Sequence, residues 1–300
     1  MSLLLAIIGY ILAAIVNIFD KFILSEKKVS PAVFVFYTTI FVLPILLLVP
    51  FGVAFPVSTK DWLIALASGL FFGLGLWTMY RAILFSEISH VGPLIGGTVP
   101  IAVLFFSNLF LGEYLTNHQL LAVSFLIVGT LIVAAEQSKT HHGWHKGIWW
   151  GVVAGLFFAL SHVAAKYSYD AYGFYSGFVW TRGALGLVGM FLLLSPSVRA
   201  EIFSRKKKTI HQPRINNLVF VLVNKILGVI SVLFIQYAIA LGSVSIVNAL
   251  SGVQYACLII LVFLFSRFRP KIFKELYTRG EIIQEVSAIV IIAIGLGLLL

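Results

Sequence analysis

Two cations sit deep inside long apolar runs. Arg182 lies about ten residues into one such run, roughly 15 Å deep as a helix, and Lys225 about eight residues into another, roughly 12 Å in. Ionisable groups in such a setting are expensive to keep, so each is a candidate for function. Gln236 follows Lys225 by eleven residues and returns to the same helical face. Trp77, Tyr80 and Arg81 stand at i, i+3 and i+4 and project to one side, where an aromatic beside a guanidinium suits a solute-facing wall. An interfacial aromatic with a snorkelling arginine fits the same spacing. His162 can accept or relay a proton, or serve as a hydrogen-bonded structural group; it and Lys166 repeat the spacing of Asn17 and Lys21. Asn248, Ser251 and Tyr255 share a face, with Gln254 adjacent, and can hydrogen-bond a solute or a neighbouring helix. Pro100 removes a backbone donor and frees the carbonyl of Gly96, in a stretch already loosened by Gly92 and Gly97. That combination predicts a helix break at Gly96 and Pro100, with backbone dipoles facing a cavity.

The elements that must position these residues are helices in a membrane. Of 300 residues 60% are apolar and only 11% charged, and the mean hydropathy is +1.04, a balance no water-soluble core accommodates. Ten apolar runs reach crossing length: Leu3–Phe19, Pro31–Val53, Trp62–Phe85, Val91–Leu111, Gln119–Ala135, Gly147–Ala165, Tyr172–Leu194, Asn217–Leu241, Ser245–Phe265 and Ile282–Leu300. The first lacks a basic leader and a cleavage site, so it reads as a retained span. The fold expected is an all-α integral membrane protein of ten transmembrane helices.

An internal echo divides it. Ala82, Ile83, Ser89, Val91, Leu94 and Gly96 return at one fixed offset as Ala238, Ile239, Ser245, Val247, Leu250 and Gly252. Two units follow, residues 1–137 and 146–300, separated by the polar run from Gln137 to Gly143. Five spans per unit make the second copy cross in the opposite sense, which gives two inverted five-helix repeats. Gly69-x-x-x-Gly73 and Gly151-x-x-x-Gly155 read as close helix contacts. Lys and Arg gather in the gaps after spans one, five, seven and nine, whereas the opposite side shows only Lys60 and Lys166. The positive-inside rule then places both termini outside the cytoplasm. Arg205 to Lys208 fits that pattern as a topology determinant, and the net charge of +10 calls for no nucleic-acid partner. His141, His142 and His145 lack metal-ligand spacing, so no metal and no cofactor is expected, and Cys257 is the lone cysteine.

The stretch Tyr80-Arg81-Ala82-Ile83, then Pro100, then Leu109-Phe110-Leu111-Gly112-Glu113-Tyr114-Leu115-Thr116, then Gln119 and Gly129 resembles the EamA-type drug/metabolite transporters. Arg182 in the second span of the second half matches a further habit of that family. The resemblance implies a secondary carrier with two five-helix inverted repeats around a central cavity. The chain departs from it where Ser266-Arg267-Phe268-Arg269-Pro270-Lys271 replaces the Gly-Glu turn; Glu275 to Thr278 is a displaced candidate for that turn. Thr39 stands near the place of Arg182 in the first half. Such transporters are often drawn with cytoplasmic termini, and the charge count here argues the reverse.

All eleven acids lie in gaps or near span ends, so no carboxylate opposes Arg182 or Lys225 at mid-depth. An exporter of lipophilic cations by proton exchange is expected to hold one there. The function expected is therefore transport of a small anionic or zwitterionic metabolite by alternating access in the cell membrane. Trp77, Tyr80, Arg81, His162, Arg182, Lys225, Gln236, Asn248, Gln254 and Tyr255 are the candidate solute contacts. The alternative is an exporter of drugs or other toxic compounds from the same superfamily; an integral-membrane lipid-modifying enzyme or a scramblase is more remote. Scattered single histidines and no paired carboxylates argue against an enzyme. The partners expected are the solute and membrane lipids, with homodimerisation left open.

Overall fold

The computed structural model describes residues 1–24, 31–85, 88–134, 146–203, 215–268 and 279–300. The polar run with His141, His142 and His145, the Arg205–Lys208 cluster and Glu275 to Thr278 lie outside the described residues, as does the side chain of Lys21. In chain order the elements are α1 (Ser2–Leu24), α2 (Pro31–Ile40), a 3-10 helix (Leu43–Leu48), α3 (Thr59–Phe85), α4 (Ile88–Leu111), α5 (Asn117–Ala134), α6 (Lys146–Leu192), α7 (Pro196–Phe203), α8 (Ile215–Leu241), α9 (Val244–Ala249), α10 (Ser251–Phe268) and α11 (Arg279–Leu299). No strand occurs among the described residues, and eight helical stretches are long and apolar enough to cross a membrane.

The longest of these stretches, Gly147–Leu192, covers 46 residues, roughly twice what a bilayer core needs. It bends back at Gly173, whose φ of 73° and ψ of 165° suit glycine alone. Residues nine apart in one straight helix would be separated by about 13 Å. Here a Cβ on Gly177 would stand 2.7 Å from the carbonyl oxygen of Ser168, so the chain is a helical hairpin with arms 146–172 and 174–192. The sequence places a gap over 166–171, but the first arm runs helically through it, and Lys166 pairs with Asp170 one turn on at 2.8 Å. Gly173→Ala should reduce stability by ~1–3 kcal/mol, the usual strain of a non-glycine residue in that backbone region, measured as a lower melting temperature in detergent.

Two expected helices differ in continuity. The run from Pro31 to Val53 is not one helix: α2 stops at Ile40, and a 3-10 helix with Pro44 in its first turn takes over. Pro44 has no N–H to give the Ile40 carbonyl, so the α ladder cannot continue through it. The break expected at Gly96 and Pro100 is absent, and α4 runs unbroken through both Pro93 and Pro100. The carbonyl that Pro100 frees is taken by the Ser251 hydroxyl, 3.2 Å from Gly96 O, so that acceptor is met without the helix opening. The discontinuity lies instead in the second half, at Leu250 between α9 and α10. There the Asn248 amide donates to the Val244 carbonyl at 2.8 Å, a local bond that competes with the helical ladder.

Close helix contacts rest on glycine. A Cβ on Gly73 would meet Val188 at 2.8 Å, one on Gly151 would meet Leu94 at 2.8 Å, and one on Gly155 would meet Thr98 at 2.7 Å. Both expected small-residue motifs therefore mark helix crossings. The first seats α3 against the second arm of α6, while toward the first arm Ser68 Oγ donates to Ser161 O at 3.0 Å and Ser161 Oγ returns a bond to Ser68 O at 2.8 Å. The echo residues fall in the core: Ala82, Val91, Ala238, Ile239, Ser245, Val247 and Leu250 are all buried. Their repetition preserves packing.

Candidate functional site

Arg182 is carried inward by the second arm of α6, and only 7% of it is exposed. Its guanidinium lies 4.8 Å over the ring of Phe72 from α3 and 5.6 Å from that of Phe178. Its Nε has no hydrogen-bond partner among the described residues. Aromatic faces offset part of the cost of burying the charge, but they leave a directional donor unused.

The first arm of α6 supplies the neighbours. His162 sits 6.3 Å, ring to ring, from the same Phe72, and its Nδ1 is 2.6 Å from Asn248 Oδ1. Because the Asn248 amide nitrogen is committed to Val244 O, its oxygen faces the ring, and Nδ1 must be the donor. Nε2 of the neutral ring is then the acceptor. Tyr169, two turns further along the arm, lies beside Arg182 and donates to Gln236 Oε1 at 2.7 Å. Phe174 stacks 5.5 Å from Tyr169, 5.2 Å from Phe178 and 4.9 Å from Tyr237.

Of the ten expected solute contacts, four thus converge: His162, Arg182, Gln236 and Asn248. Trp77 and Arg81 form a separate group. The Arg81 guanidinium lies 4.9 Å from the rings of both Trp77 and Trp150, which meet edge to face at 5.8 Å. Tyr80 is half-buried beside them in sequence. The echo counterpart of Arg81 is Tyr237, which packs on Phe174, so equivalent positions carry different chemistry. Tyr255 serves packing: its hydroxyl donates to Gly92 O at 2.6 Å and its ring covers Gly96. Tyr255→Phe should weaken the α4–α10 contact by about 1 kcal/mol, the worth of one hydrogen bond, with the melting temperature in detergent as the readout. Gln254 is half-buried and makes no hydrogen bond among the described residues. Lys225 is exposed, although it shares a helical face with the buried Gln236.

Sequence reasoning passed over Tyr169, Phe72 and Trp150. Their signal was position: Tyr169 falls seven residues after His162, on the same helical face. It also left Glu113 without a task. One Glu113 oxygen accepts from Ser245 at 2.9 Å, and Ser245 lies 2.7 Å from Ser107. Thr116 and Gln119 close the next helix start with reciprocal bonds of 3.3 and 3.0 Å, as a capping box does. The acidic turn therefore clasps the end of α4 to the start of α9.

Stacked apolar helices of crossing length, with a charged and aromatic interior, define a multi-pass membrane protein. Residues 1–135 match the EamA-like transporter family, which bears out the recognition drawn from Tyr80 to Gly129. A solved crystal structure shares the fold with a TM-score of 0.68 at 15% identity, covering 99% of this chain and 95% of that one. No curated protein matches the sequence.

Proposed function

We propose that the protein is a secondary carrier that moves a small anionic or zwitterionic metabolite by alternating access, with Arg182 as the solute's anchor. The observation that carries this reading is the buried guanidinium whose Nε has no partner among the described residues. A carboxylate or phosphate would complete its hydrogen bonds and offset its charge. Among the described carboxylates Asp61 begins α3, Glu113 follows α4 and Asp170 precedes Gly173, while Glu285 stands at the seventh residue of α11.

Counting the two arms of α6 separately, and α2 with its 3-10 extension as one crossing, gives ten crossings in two halves, 1–137 and 146–300. Reciprocal contacts support inverted repeats. Ser231 Oγ donates to Gly9 O at 2.8 Å and joins the third helix of the second half to the first of the first half. The Ser68–Ser161 pair joins the third helix of the first half to the first of the second. Two copies of one unit, packed head to tail, give this exchange. Ser2 approaches Gly242, the Glu113 turn approaches Ser245, and α11 ends beside the start of α5, with Gly295 against Ala122. Both chain ends thus share the end poor in Lys and Arg, which the positive-inside rule makes non-cytoplasmic.

The test is flux into proteoliposomes with labelled amino acids, organic acids, sugar phosphates and lipophilic cations. Saturable flux of a member of the first three groups is expected. Flux confined to lipophilic cations would favour a drug exporter of the same superfamily, and covalent change of a solute or lipid would favour an enzyme.

A further inference from the structure

At the Ser2 end the helices leave a cleft of about 390 Å³ lined by Glu113, Leu115, Gln119, Lys166, Asp170 and Ser243. That volume suits one small metabolite. Its charges are mixed. Lys166 is largely buried, with 15% of its side chain exposed, while its partner Asp170 stands at the rim with 54% exposed. Glu113 gives one oxygen to Ser245, and its other oxygen makes no hydrogen bond among the described residues. One ammonium and two carboxylates line the cleft, so a plain anion meets net negative charge, and a plain cation that draws off Asp170 offers nothing to the inner Lys166. A solute bearing both charges satisfies all three groups.

Lys166 also belongs to a second feature. His162, Lys166 and Tyr169 stand at i, i+4 and i+7 on the first arm of α6, so they share one face. Each reaches across to the other helices of the second half: His162 to Asn248 at 2.6 Å, Lys166 to the Ala240 carbonyl at 3.4 Å, and Tyr169 to Gln236 at 2.7 Å. This ladder borders the cleft through Lys166 and reaches the surroundings of Arg182 through Tyr169, which lies beside the guanidinium, and His162, which shares the Phe72 ring with it.

We propose that the cleft is the mouth of the solute path at the Ser2 end, that it receives a zwitterion carrying an ammonium and a carboxylate, and that the α6 ladder is the closed gate between this mouth and Arg182. On arrival the solute's carboxylate takes Lys166 from Asp170, and its ammonium takes the released Asp170 and Glu113. The gate rests on the carrier reading; zwitterion binding in the cleft does not.

Because Cys257 is the only cysteine, Cys257→Ser provides a background for thiol labelling. In that background Leu115→Cys reports on the mouth and Phe178→Cys on the surroundings of Arg182, each labelled in vesicles by an impermeant maleimide applied to the Ser2 end. The twenty amino acids are tested as protectants of Leu115→Cys. Those that protect are compared with their carboxylate-only and amine-only analogues, such as 4-methylpentanoate and 3-methylbutylamine for leucine. The expected result is at least about tenfold slower labelling with one or more amino acids, no protection by either analogue, and loss of protection in Lys166→Met, consistent with a close charge pair. Tyr169→Phe, which keeps the ring, should speed Phe178→Cys labelling by about fivefold, the effect of one hydrogen bond. Protection by no amino acid, or equal protection by a half-charged analogue, overturns the mouth. Unchanged Phe178→Cys labelling overturns the gate. Arg182-dependent flux with no zwitterion protection would sink this proposal and leave the carrier standing; zwitterion protection without flux would leave zwitterion binding in the cleft standing and sink the carrier, together with the gate that rests on it.

Discussion

Arg182→Met should lower solute flux by about 100-fold or more, as the loss of one partner of a buried charge pair does, and should at the same time raise the melting temperature. The two effects have one cause. A guanidinium 7% exposed, lying on Phe72 and Phe178 with no partner for its Nε among the described residues, has lost its water without a full set of replacements. Replacing buried charged groups with apolar side chains of similar volume is often neutral or stabilising by ~1–4 kcal/mol. A residue retained for packing would lose stability when removed; a residue retained for the solute should lose transport and gain stability. Arg182→Lys keeps the charge without the planar fork, so its flux should fall between the two. Initial rates in proteoliposomes and melting in detergent, measured on the same preparations, check both halves.

Gly69→Ala should be among the most damaging single substitutions for folding. A Cβ there would stand 2.5 Å from the backbone carbon of Ala184 and 2.6 Å from its Cβ, and would also strike the backbone nitrogen of Leu185. Backbone cannot step aside as a flexible side chain does, so α3 must move off α6. Overpacking usually costs ~1–3 kcal/mol, and the neighbouring Ser68–Ser161 bonds would stretch with it, adding about 1 kcal/mol for each one broken. Gly297→Ala is the matched control, because nothing lies within 4 Å of its added methyl. It should leave stability unchanged or raise it by up to about 1 kcal/mol through helix propensity. Thermal melting of the two variants beside the parent decides the matter.

Much of this arrangement is written in the chain at short range. Arg182 announces itself because a cation inside an apolar run is costly wherever that run folds, and His162 and Asn248 are visible as polar residues on otherwise apolar helices. What sequence spacing does not carry is which helices meet. Tyr255 looks like a solute contact until Gly92 and Gly96 are found beneath it. Pro100 looks like a helix break until Ser251 is found capping the carbonyl it frees. In both cases a residue from the other half answers a need that local reasoning leaves open. Glu113 is the reverse case, since its motif is the most specific family mark in the sequence and its partner, Ser245, is 132 residues away. The echo between the halves was legible as duplication, but most of its preserved residues lie in the core, and mismatched positions such as Arg81 and Tyr237 carry different side chains.

A structure of the protein with its transported solute bound tests the anchor most directly. The expected result is an anionic group of the solute within hydrogen-bonding distance of the Arg182 guanidinium, between Phe72 and Phe178, with Tyr169 and His162 lining the same chamber. A solute held elsewhere, with Arg182 still resting on its two aromatic rings and its Nε still unmet, would contradict that role.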